Sequence, residues 1–227
     1  MDGSVKGSAS PAVGTRTRLV RAAITDAARG LFLERGFAAT TMQAISEASG
    51  IPPATVYRLM SSKLAILKAL LDTAPGGDDD PVPFADRPNV RAIAQLQDPY
   101  EQVHRFVCLV ADVMSRVAPI HAVLIGAAGA DQGAAALLHE SIRQRQAGQA
   151  RFARAITRSG ALRQGVTERT AADIVHALAS PEVYSLLTDH RGWTTKRYTA
   201  WLSTTLTTQL LTDRQATTPP SGGPKAT

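Results

Sequence analysis

Cysteine is almost absent from this chain: Cys108 is the single one among 227 residues. An intrachain disulfide is excluded, and a reducing, cytoplasmic setting is the expectation. Charge is sparse at 19% of residues and aromatics sparser at 5%, whereas 44% hydrophobic residues suffice for a real core. No stretch of useful length alternates apolar and polar residues, so β-structure should be nearly absent. Catalytic signatures are missing too. There is no Gly-x-Ser-x-Gly, no Walker loop, no Gly-x-Gly-x-x-Gly after a strand, no Cys-x-x-Cys and no convincing carboxylate pair. Nothing supports an enzyme, and no cofactor is expected. No signal peptide is apparent. The most apolar region, Val117 to Ala130, contains Pro119, His121 and two glycines. It reads as too short and broken to span a bilayer, so no membrane partner is expected.

What the chain does have is helical periodicity punctuated at every joint. From Thr15 to Phe37, apolar Val20, Ile24, Ala27 and Leu31 form a stripe, widened by Ala23, Ala28 and Phe32. That spacing predicts an amphipathic helix. Gly36 is placed as the left-handed residue that ends it. Thr40-Thr41-Met42-Gln43 matches a capping box, so a second, short helix starts near Thr41 with Ile45 and Ala48 inward. Gly50 supplies a tight turn. Pro52-Pro53 then opens a third helix reaching Met60, because proline is favoured at the first helical position and excludes the α region before it. A fourth helix begins at Ser62. Two short helices joined through a glycine turn and braced by a longer one make a helix-turn-helix.

Arg18 to Leu71 resembles the DNA-binding domain of the TetR family of bacterial transcriptional regulators. The residues that carry the likeness are Ala22-Ala23, Leu31-Phe32, Glu34-Arg35-Gly36-Phe37, Thr40-Thr41, Ile45, Ala48, Gly50, Thr55, Val56-Tyr57-Arg58, Ser62-Lys63 and Leu67. Leu59-Met60 departs from the aromatic or histidine pair usual in the family, which should alter packing at the end of the third helix. More loosely, Asp86-Arg87-Pro88, Arg116-Val117-Ala118-Pro119, Ser180 to Tyr184, Arg191 to Thr194 and Tyr198-x-x-Trp201-Leu202 resemble the ligand-binding and dimerising domain of a large subgroup of that family. The resemblance implies an all-α homodimer with an amino-terminal helix-turn-helix and a carboxy-terminal helical bundle.

The expected organisation is a disordered tail over 1–14, the DNA-binding domain with its linking helix over 15–73, and a Pro/Gly/Asp-rich loop over 74–88. A ligand-binding and dimerising domain over 89–212 and a tail over 213–227 follow. Within 89–212, helices are predicted near 88–96, 99–116, 118–128, 133–159, 168–179, 181–190 and 194–212, several opened by proline. Asp78-Asp79-Asp80 lacks Ca²⁺-loop spacing and reads as a solvated acidic stretch.

The net charge of +6 is uneven: residues 1–63 hold eight Lys/Arg against four acids. Such a surplus suits phosphate attraction. In a helix-turn-helix the second helix enters the major groove, so Pro52 to Met60 is the reading helix. Pro52 and Pro53 offer only apolar contact there. Arg58 is the best base reader, because guanidinium pairs bidentately with guanine, and Gln43 is a weaker candidate. Arg16 and Arg18 are expected on a flexible arm at the minor groove or phosphates. Arg21 is as readily a solvated surface charge. Lys63, in the first turn of its helix, opposes the helix dipole unless a phosphate sits there. Thr41, Thr55 and Tyr57 match family positions that contact the DNA backbone.

Further along, an effector pocket is expected among Phe106, Val107, Met114, Leu124, Phe152 and Tyr184, with Gln149 as a weaker orienting candidate. Ile174, Leu178, Val183, Leu186 and Leu187 pair with Tyr198, Trp201, Leu202, Leu206 and Leu210. That is more apolar surface than one helical hairpin hides, which predicts a two-fold four-helix interface. His104, Cys108 and Asp112 share a helix face at metal-ligand spacing. A cysteine among apolar neighbours is more often an inert small hydrophobe, so no metal is expected. Arg151, Arg154 and Arg158 share another face, suited to an acidic ligand or simply solvated. The function these features favour is a homodimeric repressor on a palindromic operator of double-stranded DNA, released by a small, mostly apolar effector.

Overall fold

The computed structural model describes residues 11–78 and 80–213, with side chains from Thr15 onward. Ten helices follow one another in it: α1 (Pro11–Ala39), α2 (Met42–Ser49), α3 (Pro53–Leu59), α4 (Lys63–Thr73), α5 (Pro88–Ile93), α6 (Pro99–Ala128), α7 (Gln132–Arg158), α8 (Glu168–Leu178), α9 (Pro181–Ser185) and α10 (Thr195–Leu210). A short 3-10 turn at Phe84–Asp86 interrupts the 74–88 loop, and a π turn at Leu186–His190 prolongs α9. The chain is all-α, with only an isolated bridge between Leu162 and Leu211 among the described residues. Of the expected tails, 1–10 and 214–227 lie outside the described residues, as does Asp79, while 11–14 belong to α1.

Gly36 interrupts α1 at φ 78°, ψ 168°. The φ is positive as expected, but the ψ is extended rather than left-handed helical, a region essentially restricted to glycine. Buried Thr40 closes this corner by donating to the Gly36 carbonyl at 2.8 Å. Pro119 corrects a second expectation. It does not separate two helices but lies inside the continuous α6. An interior proline removes one backbone hydrogen bond and costs about 3 kcal/mol in isolation. Here the helix is held by packing on both sides of it. Ser115, whose carbonyl loses that partner, lies on the exposed face.

Two hydrophobic cores result. One gathers Ile24, Phe32, Ile45, Val56, Ile66 and Leu67 from α1–α4. The other gathers Val107, Phe152, Val175, Tyr198, Leu202 and Leu206. Helix α6 serves both: its buried apolar residues between Val103 and Ala118 lie in the second core, whereas Ile120, Leu124 and Ala127 lie in the first. The cores therefore do not divide at the 74–88 loop. By length and composition alone α6 is long and apolar enough to cross a membrane, which the broken reading of Val117 to Ala130 missed. Its buried apolar residues fill the two cores, while Ile125 is 45% exposed.

Arg116 fastens the junction. Its guanidinium donates to the carbonyls of Ala74 at 2.9 Å and Pro75 at 2.8 Å, just past α4. The Asp112 carboxylate grips its other side with two bonds of 2.8 Å. That pairing commits one of the three residues with metal-ligand spacing. The other two, His104 and exposed Cys108, sit 3.7 Å apart. Within the loop, Arg87 and Asp78 form a two-pronged pair, at 2.9 and 2.5 Å.

Candidate nucleic-acid interface

Helices α2 and α3 take their places through short-range bonds. The Thr41 hydroxyl caps α2 by accepting from the Ala44 amide at 3.0 Å. Thr40 and Gln43 do not form the expected capping box: Thr40 turns back to α1, and the Gln43 side chain donates to Glu47 at 2.9 Å. Ile45 and Ser46 are the inward residues of α2, while Ala48 is exposed, contrary to its expected inward place. The Ser46 hydroxyl reaches across the turn to the Ile51 carbonyl at 2.5 Å. A lone serine gives no periodic signal, so the sequence did not betray it. Gly50, at φ 68°, ψ 12°, is the left-handed cap that lets the chain reverse. Pro52 precedes α3 in extended conformation and Pro53 opens it.

The outcome is a short helix with two distinct faces. Val56 and Met60 are buried, so the departure at Leu59-Met60 is met by packing methionine inward. Pro52, Pro53, Ala54, Tyr57 and Arg58 are exposed, and Thr55 is half-buried. Tyr57 is 55% exposed, which rules out an ordinary core aromatic. A small helix carrying a free phenol and a free guanidinium on its outward side can lie in a groove and donate to acceptors there.

The flanking cations are arranged differently from expectation. Arg16 and Arg18 stand on α1 itself, exposed, not on an arm preceding it. Lys63 turns inward: its ammonium donates to the Phe37 carbonyl at 2.7 Å and sits 4.6 Å above the Phe37 ring. Carbonyl oxygens at the end of α1 thus compensate the unfavourable dipole at the start of α4, with no phosphate required. Arg21 is likewise engaged, donating to the Leu59 carbonyl at 3.2 Å.

In the carboxy-terminal region five of the six expected pocket residues, Phe106, Val107, Met114, Phe152 and Tyr184, lie in one core. Leu124 does not: it belongs to the amino-terminal core. Phe106 and Phe152 stack with centroids 3.8 Å apart. A shallow groove elsewhere, where the end of α1 meets α6, is lined by Leu33, Phe37, Pro119 and Val123, and none of the six reaches it. Gln149 is spoken for, donating to the Ala179 carbonyl at 3.2 Å and pairing with His176 Nδ1 at 2.7 Å.

A polar cluster that the scattered histidines did not announce joins α6, α7 and α9. Buried His121 meets Glu182 at 3.0 Å, and Arg145 meets the other Glu182 oxygen at 3.1 Å. The His121 bond, helped by Arg145, holds the Glu182 carboxyl well below the usual carboxylate range. Burial, reinforced by Arg145, lowers His176 beneath its ordinary 6.5. Below that value the unfolded chain takes up a proton that folded His176 refuses, so stability falls as the pH drops through this window. Glu182 adds stability that is lost at still lower pH, under the ordinary carboxyl range. His176→Asn, whose amide nitrogen stands where Nδ1 does and can keep the bond to Gln149, is expected to flatten the loss as the pH falls below about 6.5 in urea unfolding. An unchanged pH slope in that variant would place the acid sensitivity elsewhere.

The expected dimer residues separate into two groups. Tyr198, Leu202, Leu206 and Leu210 are fully buried within the monomer core, which removes them from an interface. Burial and neighbouring Tyr184 push the Tyr198 phenol well above its ordinary value. Ile174, Leu178, Val183, Leu187 and Trp201 are half-buried, and Leu186 is 54% exposed. Of the arginine face on α7, Arg154 pairs with Glu168 at 3.3 Å and Arg151 lies 3.9 Å from Asp86.

The model of the family described as "Bacterial regulatory proteins, tetR family" matches residues 24–70. The HTH-type transcriptional regulator UidR of Escherichia coli (strain K12) is 30% identical over 101 residues, 44% of this chain and 44% of that protein. The chain thus matches less than half the length of that curated relative. Among solved structures, SmeT in its triclosan complex aligns with TM-score 0.65 at 18% identity, covering 86% of this chain and 93% of that one. NalD, the secondary repressor of the MexAB-OprM multidrug efflux pump in Pseudomonas aeruginosa, aligns with TM-score 0.61 at 20% identity over 86% and 98%. Salmonella enterica GusR aligns with TM-score 0.60 at 20% identity over 85% and 95%. At these identities the likeness shows a shared fold.

Proposed function

This chain belongs to the TetR family of bacterial regulatory proteins through its amino-terminal domain, and we propose that it is a cytoplasmic homodimeric transcriptional repressor binding a palindromic operator. The observation that carries this reading is α3, held rigidly by Gly50, Ser46 and Val56 while Tyr57 and Arg58 project outward. Arg58 supplies base discrimination. Thr41, Thr55 and Tyr57 meet the backbone with Arg16 and Arg18, and Gln43 joins them once it leaves Glu47. Pro52 and Pro53 give apolar contact. Lys63 first braces the end of α1, and its remaining donor capacity faces phosphate.

Two reading helices must stand about 34–36 Å apart, or a multiple, to enter successive major grooves. The two-fold surface we assign is the outward side of α8, α9 and the π turn, from Ile174, Leu178, Val183, Leu186 and Leu187, with Trp201 beside them. As SmeT was solved with triclosan, the effector we propose is small and mostly apolar, entering among Phe106, Val107, Met114, Phe152 and Tyr184. It releases DNA by favouring a form with different helix spacing.

Selection from random DNA tests the central claim. Arg58→Ala is expected to relax one base position and cost about 1–3 kcal/mol at the preferred site. Unchanged preference and affinity would remove Arg58 as the reader. Failure of the wild-type protein to enrich any sequence would remove the operator.

A further inference from the structure

Three helix ends in the amino-terminal region are closed by a cation from another helix. Lys63 of α4 closes α1 at Phe37, Arg116 of α6 closes α4 at Ala74, and Arg21 of α1 closes α3 at Leu59. Carbonyls in the last turn of a helix lack intrahelical partners and carry partial negative charge, so each placement is favourable. The third bears on DNA reading. Helix α3 has seven residues, no side-chain bond at its start, and an end at Met60, where the chain turns extended. Arg58 lies in that last turn, one residue from the Leu59 carbonyl. An arginine so placed can fold back onto the terminal carbonyls of its own helix. Arg21 already occupies that carbonyl, and Arg58 has no ion pair or side-chain hydrogen bond among the described residues.

We propose that Arg21 is a positioning residue for DNA recognition: by capping the end of α3 it fixes that helix to α1 and keeps the Arg58 guanidinium outward, free to read a base. This rests on the reading of α3 as the recognition helix. In this reading Arg21 contacts no base and acts through Arg58. Its removal should therefore be felt as lost discrimination at the one position that Arg58 reads, not as a uniform weakening across sequences.

The test uses the full chain in five forms: wild type, Arg21→Ala, Arg21→Lys, Arg58→Ala and the double alanine variant. Each is assayed against the selected DNA and against single-position mismatches over a range of salt. Arg21→Ala is expected to cut discrimination at the Arg58 position roughly five- to tenfold, the lower part of the span of one bidentate base contact. The salt slope should stay unchanged, since no phosphate contact is lost. Arg21→Lys should restore most of the discrimination, and the double variant should match Arg58→Ala alone, because coupled residues are not additive. Additive losses would overturn the proposal. So would a salt slope lower by about one unit with preference intact, which would make Arg21 a phosphate ligand.

Hydrogen exchange without DNA provides a separate readout. The Met60 amide, bonded to the Val56 carbonyl at 2.7 Å, should exchange faster in Arg21→Ala and at the wild-type rate in Arg58→Ala. Normal Met60 exchange in Arg21→Ala, with DNA selection successful, overturns the role of Arg21 and leaves α3 as reader. Faster exchange with no DNA selected by wild type overturns the operator reading, and the recognition role of Arg21 with it.

Discussion

Leu124→Ala is expected to lower stability by about 2–5 kcal/mol, the range for emptying a fully buried leucine site. The loss should fall on the DNA-binding end although the residue lies in α6. Leu124 is fully buried and packs with the core formed by α1–α4. Denaturant unfolding measures the magnitude, and hydrogen exchange locates it. Amides of α1 and α4 should exchange faster, and DNA affinity should fall with the folded population. Val107→Ala is the control on the same helix, since Val107 is equally buried in the other core. A Leu124→Ala variant that loosened only α8 and α10 would contradict the shared role of α6.

Arg116→Ala comes next, at about 2–3 kcal/mol, because two partly buried carbonyls beyond α4 lose their donor. Asp112 adds little to this, being 63% exposed and able to turn to water. Arg116→Lys should fall between wild type and alanine: it keeps the charge but not the planar fork that serves Ala74, Pro75 and Asp112 together. Thermal unfolding of the three proteins orders them. Equal midpoints for alanine and wild type would mean that water replaces the guanidinium at no cost.

What was legible in the sequence was local. Gly50, Pro52-Pro53 and Ser62 each impose a backbone geometry through their own chemistry, and the joints around α2, α3 and α4 stand where those residues put them. Misreadings arose where a distant partner outweighs local preference. Pro119 signals a break, yet packing against both cores carries α6 through it. Arg16 and Arg18, expected on a flexible arm, lie on α1, because helix formation continues outward from a nucleus already set. The α10 stripe of Tyr198, Leu202 and Leu206 has the spacing of an interface and of a core alike, and only the fold shows that α6 and α8 cover it. In sequence Lys63 looks identical to a phosphate ligand at a helix start, and Arg21 to a solvated charge. Their carbonyl partners lie 26 and 38 residues away, beyond any periodic signal.

The sharing of α6 has a consequence for dissecting the molecule. The 74–88 loop, rich in proline, glycine and aspartate, looks like a natural place to cut, and exposed stretches of that kind are where proteases nick. Cutting there severs the peptide but not the packing. The amino-terminal piece would leave behind Ile120, Leu124, Ala127 and Ala134, which complete its core from the other side. After a nick the two fragments should stay together through gel filtration and part only in denaturant. An isolated fragment ending at Thr73 would expose the apolar surface those residues cover and would tend to aggregate, so the smallest self-sufficient reading unit of this chain extends into α7.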